Sequence, residues 1–204
     1  MPFNDRQSLD QLFEDFEHPN PNINKRAFSK IADFWPEEAM PRLLAGLSQD
    51  DISIRRKSVK ALGAYGKTVL SKIVEVFHTG NERTLRTSCL KVFLQVASNM
   101  DGDSFSADAM EVIRIAMADD HPELVLTVVS VLRQLGNQGI PLLIEAIHDK
   151  NILRASAAIS ALGEMENPMA KKYLQQCLGE DSLEGFLKEN ILQALDSPTK
   201  KSYF

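Results

Sequence analysis

Arg56, Lys57 and Lys60 stand within five residues of one another, at steps of one, three and four. On a helix those steps put the cationic groups on one side, where they can receive carboxylates by charge-assisted hydrogen bonds. Arg83, Lys91 and Arg133 continue the same sign further along and extend the group into a positive stripe on an otherwise acidic chain. Such a stripe suits a carboxylate-bearing ligand or an acidic partner; the competing reading is an ordinary solvated face. Trp35 and Tyr65 lie 30 residues apart at matching places, one before Pro36 and one after Gly63. They either form an edge for a flat ligand or a partner side chain, or plug the groove between neighbouring structural units.

No nucleophile, acid–base pair or metal set is legible, so the expectation is no catalytic residue and no metal ligand. The chain has no GxSxG, P-loop, HExxH or GxGxxG pattern. His18, His78, His121 and His148 each fall in a turn leading into a helix, and equivalent turns of stacked helical pairs are separated by roughly 10 Å, so they read as turn and capping residues. Cys89 and Cys177 sit in apolar surroundings outside any CxxC or Cys/His cluster and read as reduced core thiols. Asp101-Gly102-Asp103 has the opening spacing of a calcium loop but lacks the later acidic ligand.

The elements that must carry these residues are helices. Apolar residues recur at three- and four-residue steps nearly throughout, and no alternating stretch argues for a strand. Two stretches are offset by 100 positions: Met40-Pro41-Arg42-Leu43-Leu44 matches Ile140-Pro141-Leu142-Leu143-Ile144, and Ala61-Leu62-Gly63 matches Ala161-Leu162-Gly163. Fainter copies, such as Ile23-Ala27-Ile31 and Leu85-Cys89-Phe93, stand 31 positions to either side of Ile54-Ser58-Leu62. A period in the low thirties is that of helical-pair repeats. The fold expected is an all-α, HEAT-like helical-repeat solenoid of about six short pairs.

One repeat domain spans 1–204, with a capping helix in 1–17, repeats over 18–195 and a tail from 196 to 204. Gly63 and Gly163 read as helix ends at positive φ, and Pro41 and Pro141 as residues of a first helical turn. Ser58 and Ala61 are small enough for close helix approach. Arg55, Arg86 and Arg154 read as a ladder of ion pairs between repeats, with Asp51 and Asp149 as nearby acids. Ser98–Ser106 lengthens the third repeat by about eight residues and is either a tolerated loop or a binding element. In the tail, Tyr203 and Phe204 behind Lys200 and Lys201 form a candidate hook for a partner.

Composition is that of an ordinary folded protein, with 44% hydrophobic and 25% charged residues. The net charge of −5 speaks against a nucleic-acid partner, because duplex binding rests on a basic face that displaces counterions. No leader pattern and no run of 18 apolar residues occurs, so neither secretion nor a membrane span is expected and the location expected is cytoplasmic.

Met40–Gly63 and Ile140–Ile147 resemble the short HEAT-like repeats of the E/F-type phycobilin lyases of cyanobacteria. Chain length and the block Asp50-Asp51-Ile52-Ser53-Ile54-Arg55-Arg56-Lys57-Ser58-Val59-Lys60-Ala61-Leu62-Gly63 are most similar to the small F- or Z-type subunits. The resemblance covers about residues 18–195. It implies a heterodimer with an E-type or Y-type subunit, and a phycobiliprotein subunit as client. The chain would then be the non-catalytic or co-catalytic partner in phycobilin:cysteine attachment, with a transiently held open-chain tetrapyrrole and no tightly bound cofactor. A bilin's two propionates would give Arg56, Lys57 and Lys60 their anion, and Trp35 or Tyr65 would contact pyrrole rings. The alternative is a generic HEAT-repeat scaffold that binds only protein. Leu124–Val129 lacks the basic pair, so the stripe is not expected to run the length of the array.

Overall fold

The computed structural model describes residues 7–100 and 104–196. Among them are twelve α-helices and no strand. The chain is an all-α helical-repeat protein, and it divides into two compact units, 1–103 and 104–204.

The first unit holds α1 (Leu9–Glu17), α2 (Pro21–Phe34), α3 (Pro36–Ala45), α4 (Ile52–Ala64), α5 (Leu70–Thr79) and α6 (Arg83–Ser98). They pair as α1–α2, α3–α4 and α5–α6, and α4 packs between α2 and α6. The apolar stripes predicted from sequence form the core: Ala27 and Ile31 of α2, Ser58 and Leu62 of α4, and Cys89 and Phe93 of α6 are all buried. Burying a side chain the size of Leu62 or Phe93 contributes about 2 kcal/mol. The helix starts are fixed by polar caps. Ser8 and Gln11 form a reciprocal capping box, and the side chains of Asn20 and Asp51 accept the backbone N–H groups of Asn22 and Ser53. Each such cap stabilises its helix by about 1 kcal/mol.

The second unit repeats the plan with α7 (Ala107–Met117), α8 (Pro122–Gln134), α9 (Ile140–Ile147), α10 (Ile152–Glu164), α11 (Pro168–Cys177) and α12 (Gly185–Asp196). Here α10 packs between α8 and α12. The end of the predicted insertion belongs to this core. Phe105 is buried, its N–H donates to Gln138 Oε1 at 2.8 Å, and its carbonyl accepts from Gln138 Nε2 at 2.8 Å. Ser106 then caps α7 by accepting the Ala109 N–H. The Asp101–Asp103 stretch and the tail with Tyr203 and Phe204 lie outside the described residues.

Two local expectations are corrected. Gly63 and Gly163 are inside α4 and α10, and among the described residues the positive-φ glycines are Gly66 at 61° and Gly136 at 56°. The repeated glycines serve close approach instead. A Cβ on Gly63 would stand 2.1 Å from Cγ of Gln95 on α6, and one on Gly163 would stand 2.6 Å from Cβ of Ala194 on α12. Pro41 lies within α3, whose first turn is opened by Pro36. Pro41 is exposed, and its ring nitrogen cannot make the backbone hydrogen bond to the Glu37 carbonyl one turn earlier. Pro141 does sit in the first turn of α9.

Ion pairs between neighbouring repeats exist, but mostly through other arginines than those expected. Arg42 pairs with Glu17 at 3.7 Å, Arg114 with Glu145 at 3.2 Å, and Arg133 with Glu164. Arg55 instead donates to the carbonyls of Gln49 and Asp50, and Arg86 donates to the Gly80 carbonyl and lies 4.9 Å from the Phe77 ring centroid. These two hold their own repeat's inter-helix turn. Of the three named from sequence, Arg154 reaches a preceding repeat, by a salt bridge to Asp120 at 3.0 Å and a hydrogen bond to the Asp119 carbonyl.

Candidate functional site

The outward side of α2, α4 and α6 is strongly cationic. α2 carries Lys25, Arg26 and Lys30, α4 carries Arg55, Arg56, Lys57 and Lys60, and α6 carries Arg83, Arg86 and Lys91, against the single acid Asp33. The corresponding helices of the second unit carry Arg133, Arg154 and Lys188 against Glu123, Glu164, Glu189 and Asp196. The polarity arises where α4 reads Arg56, Lys57 and Lys60 and α10 reads Ser156, Ala157 and Ser160.

Within the basic face the seven sequence-selected residues part into two groups. Arg56 and Lys60 are exposed one turn apart on α4, and Arg83 is exposed at the start of α6; none of the three makes a hydrogen bond or ion pair among the described residues. Lys91 is exposed on α6 and stands 31 positions after Lys60. Lys57, Tyr65 and Trp35 bond to named backbone groups. Lys57 Nζ donates to the Glu17 carbonyl at 2.9 Å and so fastens the end of α1 to α4. Tyr65 donates its hydroxyl to the Pro36 carbonyl at 3.2 Å, and Trp35 donates Nε1 to the Gln7 carbonyl at 3.3 Å. Both rings are half-buried. Burial, with Glu37 and Glu38 nearby, pushes the Tyr65 phenol up to about 12, so it remains a neutral donor. Each ring therefore closes a joint inside the first unit while keeping part of its surface in solvent.

Lys25 and Arg26 were missed in the sequence reading, although both are exposed on α2. Their signal was available: Lys25 stands 31 positions before Arg56, and Arg26 the same distance before Lys57. Arg133 drops out of the stripe because Glu164 neutralises it.

The thiols are withdrawn from solvent. Cys89 and Cys177 are buried. Burial pushes the Cys89 thiol up to about 12; burial, reinforced by Glu180, pushes Cys177 up to about 11. Neither is a thiolate near neutral pH.

The first unit thus presents exposed guanidinium and ammonium groups on stacked helical pairs. HEAT repeats match this chain over residues 9–92 and 110–196. The bilin biosynthesis protein CpeZ of Synechococcus sp. (strain WH8020) is 30% identical over 164 residues, covering 78% of this chain and 88% of that protein. An uncharacterized phycocyanin operon protein Z of Pseudanabaena tenuis (strain PCC 7409) is 26% identical over 189 residues, or 92% of this chain and 94% of the relative. Among solved structures, an engineered protein aligns at 15% identity with a TM-score of 0.42, covering 93% of this chain and 97% of its own. A designed armadillo repeat protein aligns at 13% identity and a TM-score of 0.39, covering 92% and 98%. The chain belongs to the HEAT-repeat family and, within it, to the Z-type proteins related to bilin lyases.

Among the described residues, no helix is long and apolar enough to cross a membrane.

Proposed function

We propose that this chain is a subunit of a phycobilin lyase, or a chaperone-like factor, that assists covalent attachment of a bilin to a phycobiliprotein. The observation that carries the reading is the 30% identity to a bilin biosynthesis protein over most of both chains. The basic face supports it physically. An open-chain tetrapyrrole carries two propionates, and Arg56 and Lys60 offer two adjacent cations whose charge is not committed elsewhere in the described residues. Trp35 and Tyr65 present partly exposed ring surface on the same unit for contact with the pyrrole plane.

The division of labour follows from the thiols. In the attachment step the acceptor's cysteine sulfur adds to a vinylidene carbon of the bilin, forming the C–S bond, and the thiol proton ends on the neighbouring carbon. The acceptor supplies that sulfur, so the buried Cys89 and Cys177 have no part in the bond. This chain then contributes by holding the bilin, the client or both. An E-type or Y-type subunit completes a heterodimer in the cytoplasm, and the bilin is a passing ligand rather than a resident cofactor.

The double variant Arg56→Glu, Lys60→Glu tests the site. Transfer is expected to fall about tenfold, equivalent to about 1.4 kcal/mol from two exposed charge contacts. Circular dichroism and melting temperature are expected to stay at native values, because neither side chain is bonded to the fold among the described residues. Native transfer by a folded double variant would take the basic face out of the mechanism.

A further inference from the structure

The second unit gathers four side chains that no sequence pattern connects. His148 ends α9, Tyr173 and Cys177 stand one turn apart on α11, and Glu180 lies in the turn that follows. One ligand atom each from His148, Cys177 and Glu180 lie within 4.8 Å of one another. Imidazole Nδ1 is 3.7 Å from the Glu180 carboxylate, and Nε2 is 3.3 Å from the Tyr173 hydroxyl. Nε2 is thus hydrogen-bonded to Tyr173, whereas Nδ1 stands beyond hydrogen-bond distance of the Glu180 carboxylate.

We propose that His148, Cys177 and Glu180 form a zinc-class metal site, with Tyr173 as an outer partner. A nitrogen, a sulfur and a carboxylate oxygen make a donor set suited to a borderline-soft divalent ion. Zinc bonds of about 2.0–2.3 Å place tetrahedral ligands roughly 3.3–3.8 Å apart, so closure requires about 1 Å of movement. His148 and Glu180 can supply it, because their side chains are 39% and 35% exposed, while Cys177 is held on its helix. The Tyr173 contact occupies Nε2 and leaves Nδ1 to the ion, the arrangement by which outer partners orient a ligating histidine. The fourth position stays open to water. Ligation requires the thiolate, so binding displaces the thiol proton and strengthens as pH rises. Bound metal would clip the turn after α9 to the end of α11.

Zinc(II) and cobalt(II) chloride, titrated into the full chain under reducing conditions, test the site. One equivalent is expected to bind with proton release and a rise in melting temperature of several degrees. Cobalt is expected to show an ultraviolet thiolate-to-metal charge-transfer band. Cys177→Ser should abolish the band and weaken binding by about 100-fold. His148→Gln, an exposed substitution that leaves the core intact, should weaken it similarly, and Cys89→Ser should change neither. The proposal is overturned by absence of saturable binding, by a cobalt spectrum without thiolate character, or by native affinity in Cys177→Ser or His148→Gln.

Discussion

Gly163→Val is expected to destabilise the protein by about 3 kcal/mol, through overpacking of the joint between α10 and α12. Helix propensity alone points the other way, because valine is a better helix former than glycine by roughly 0.4 kcal/mol. Gly163 lies inside α10, so the left-handed conformation that would protect a glycine is absent. The opposing cost is steric and larger. A Cβ would meet Ala194 Cβ at 2.6 Å and the Ala194 carbonyl oxygen at 2.9 Å, and valine adds two methyl groups beyond it. A loss of this size lowers the melting temperature by roughly 6–12 °C in a chain of this length. Gly179→Ala is the matched control, since its Cβ would find its nearest neighbour, the Gln176 carbonyl oxygen, at an ordinary 3.5 Å. Equal melting of Gly163→Val and the native chain would mean that the two helices do not approach as described.

Arg154→Met is the second large effect, expected at about 2 kcal/mol of lost stability. The guanidinium side chain is 7% exposed and pairs with Asp149 at 2.6 Å and Asp120 at 3.0 Å. It also donates to the Asp119 carbonyl at 2.8 Å. Methionine keeps the packing volume of the stem but leaves that carbonyl and the Asp149 carboxylate without their cation. The full cost of a broken buried pair is not reached, because Asp120 is 83% exposed and rehydrates. The same exposure predicts a loss below about 1 kcal/mol for Asp120→Ala. Chemical denaturation of the three chains checks the order. A smaller loss for Arg154→Met than for Asp120→Ala would show that the arginine is solvated.

Most of the fold was legible because its signal is local and repeated. The step from Ile54, Ser58 and Leu62 to their copies 31 positions away located α2 and α6; the second and third residue of each set are buried, while Ile54 is exposed and Ile23 and Leu85 are half-buried near the helix starts. Glycine chemistry was harder. Gly63 and Gly66 are three residues apart, and sequence cannot tell which bends the chain and which yields room to a neighbour; the answer depends on Gln95, contributed by the next repeat. The arginines show the same limit. Arg55 and Arg154 resemble each other in sequence, yet one holds its own turn and the other reaches an earlier repeat.

The candidate site was legible as charge but not as bonding. Arg56 and Lys60 stand on the surface as their spacing implies, whereas Lys57, from the same run, is engaged by the Glu17 carbonyl 40 positions earlier. Trp35 and Tyr65 bond to Gln7 and Pro36, about one repeat length back. His148 and Cys177 escaped notice for a related reason. The meeting is between the turn after α9 and the next repeat's first helix, α11, which no spacing between histidines signals.

The central claim is that this chain promotes bilin attachment. The direct measurement is co-expression of a phycobiliprotein subunit, a bilin source and an E-type or Y-type subunit, with and without this chain, followed by absorbance of the denatured client to count covalent bilin. A several-fold higher yield of coloured, covalently modified client with the chain present is the result predicted. Equal yields with and without it, across the candidate partner subunits and with the chain soluble and folded, would contradict the claim.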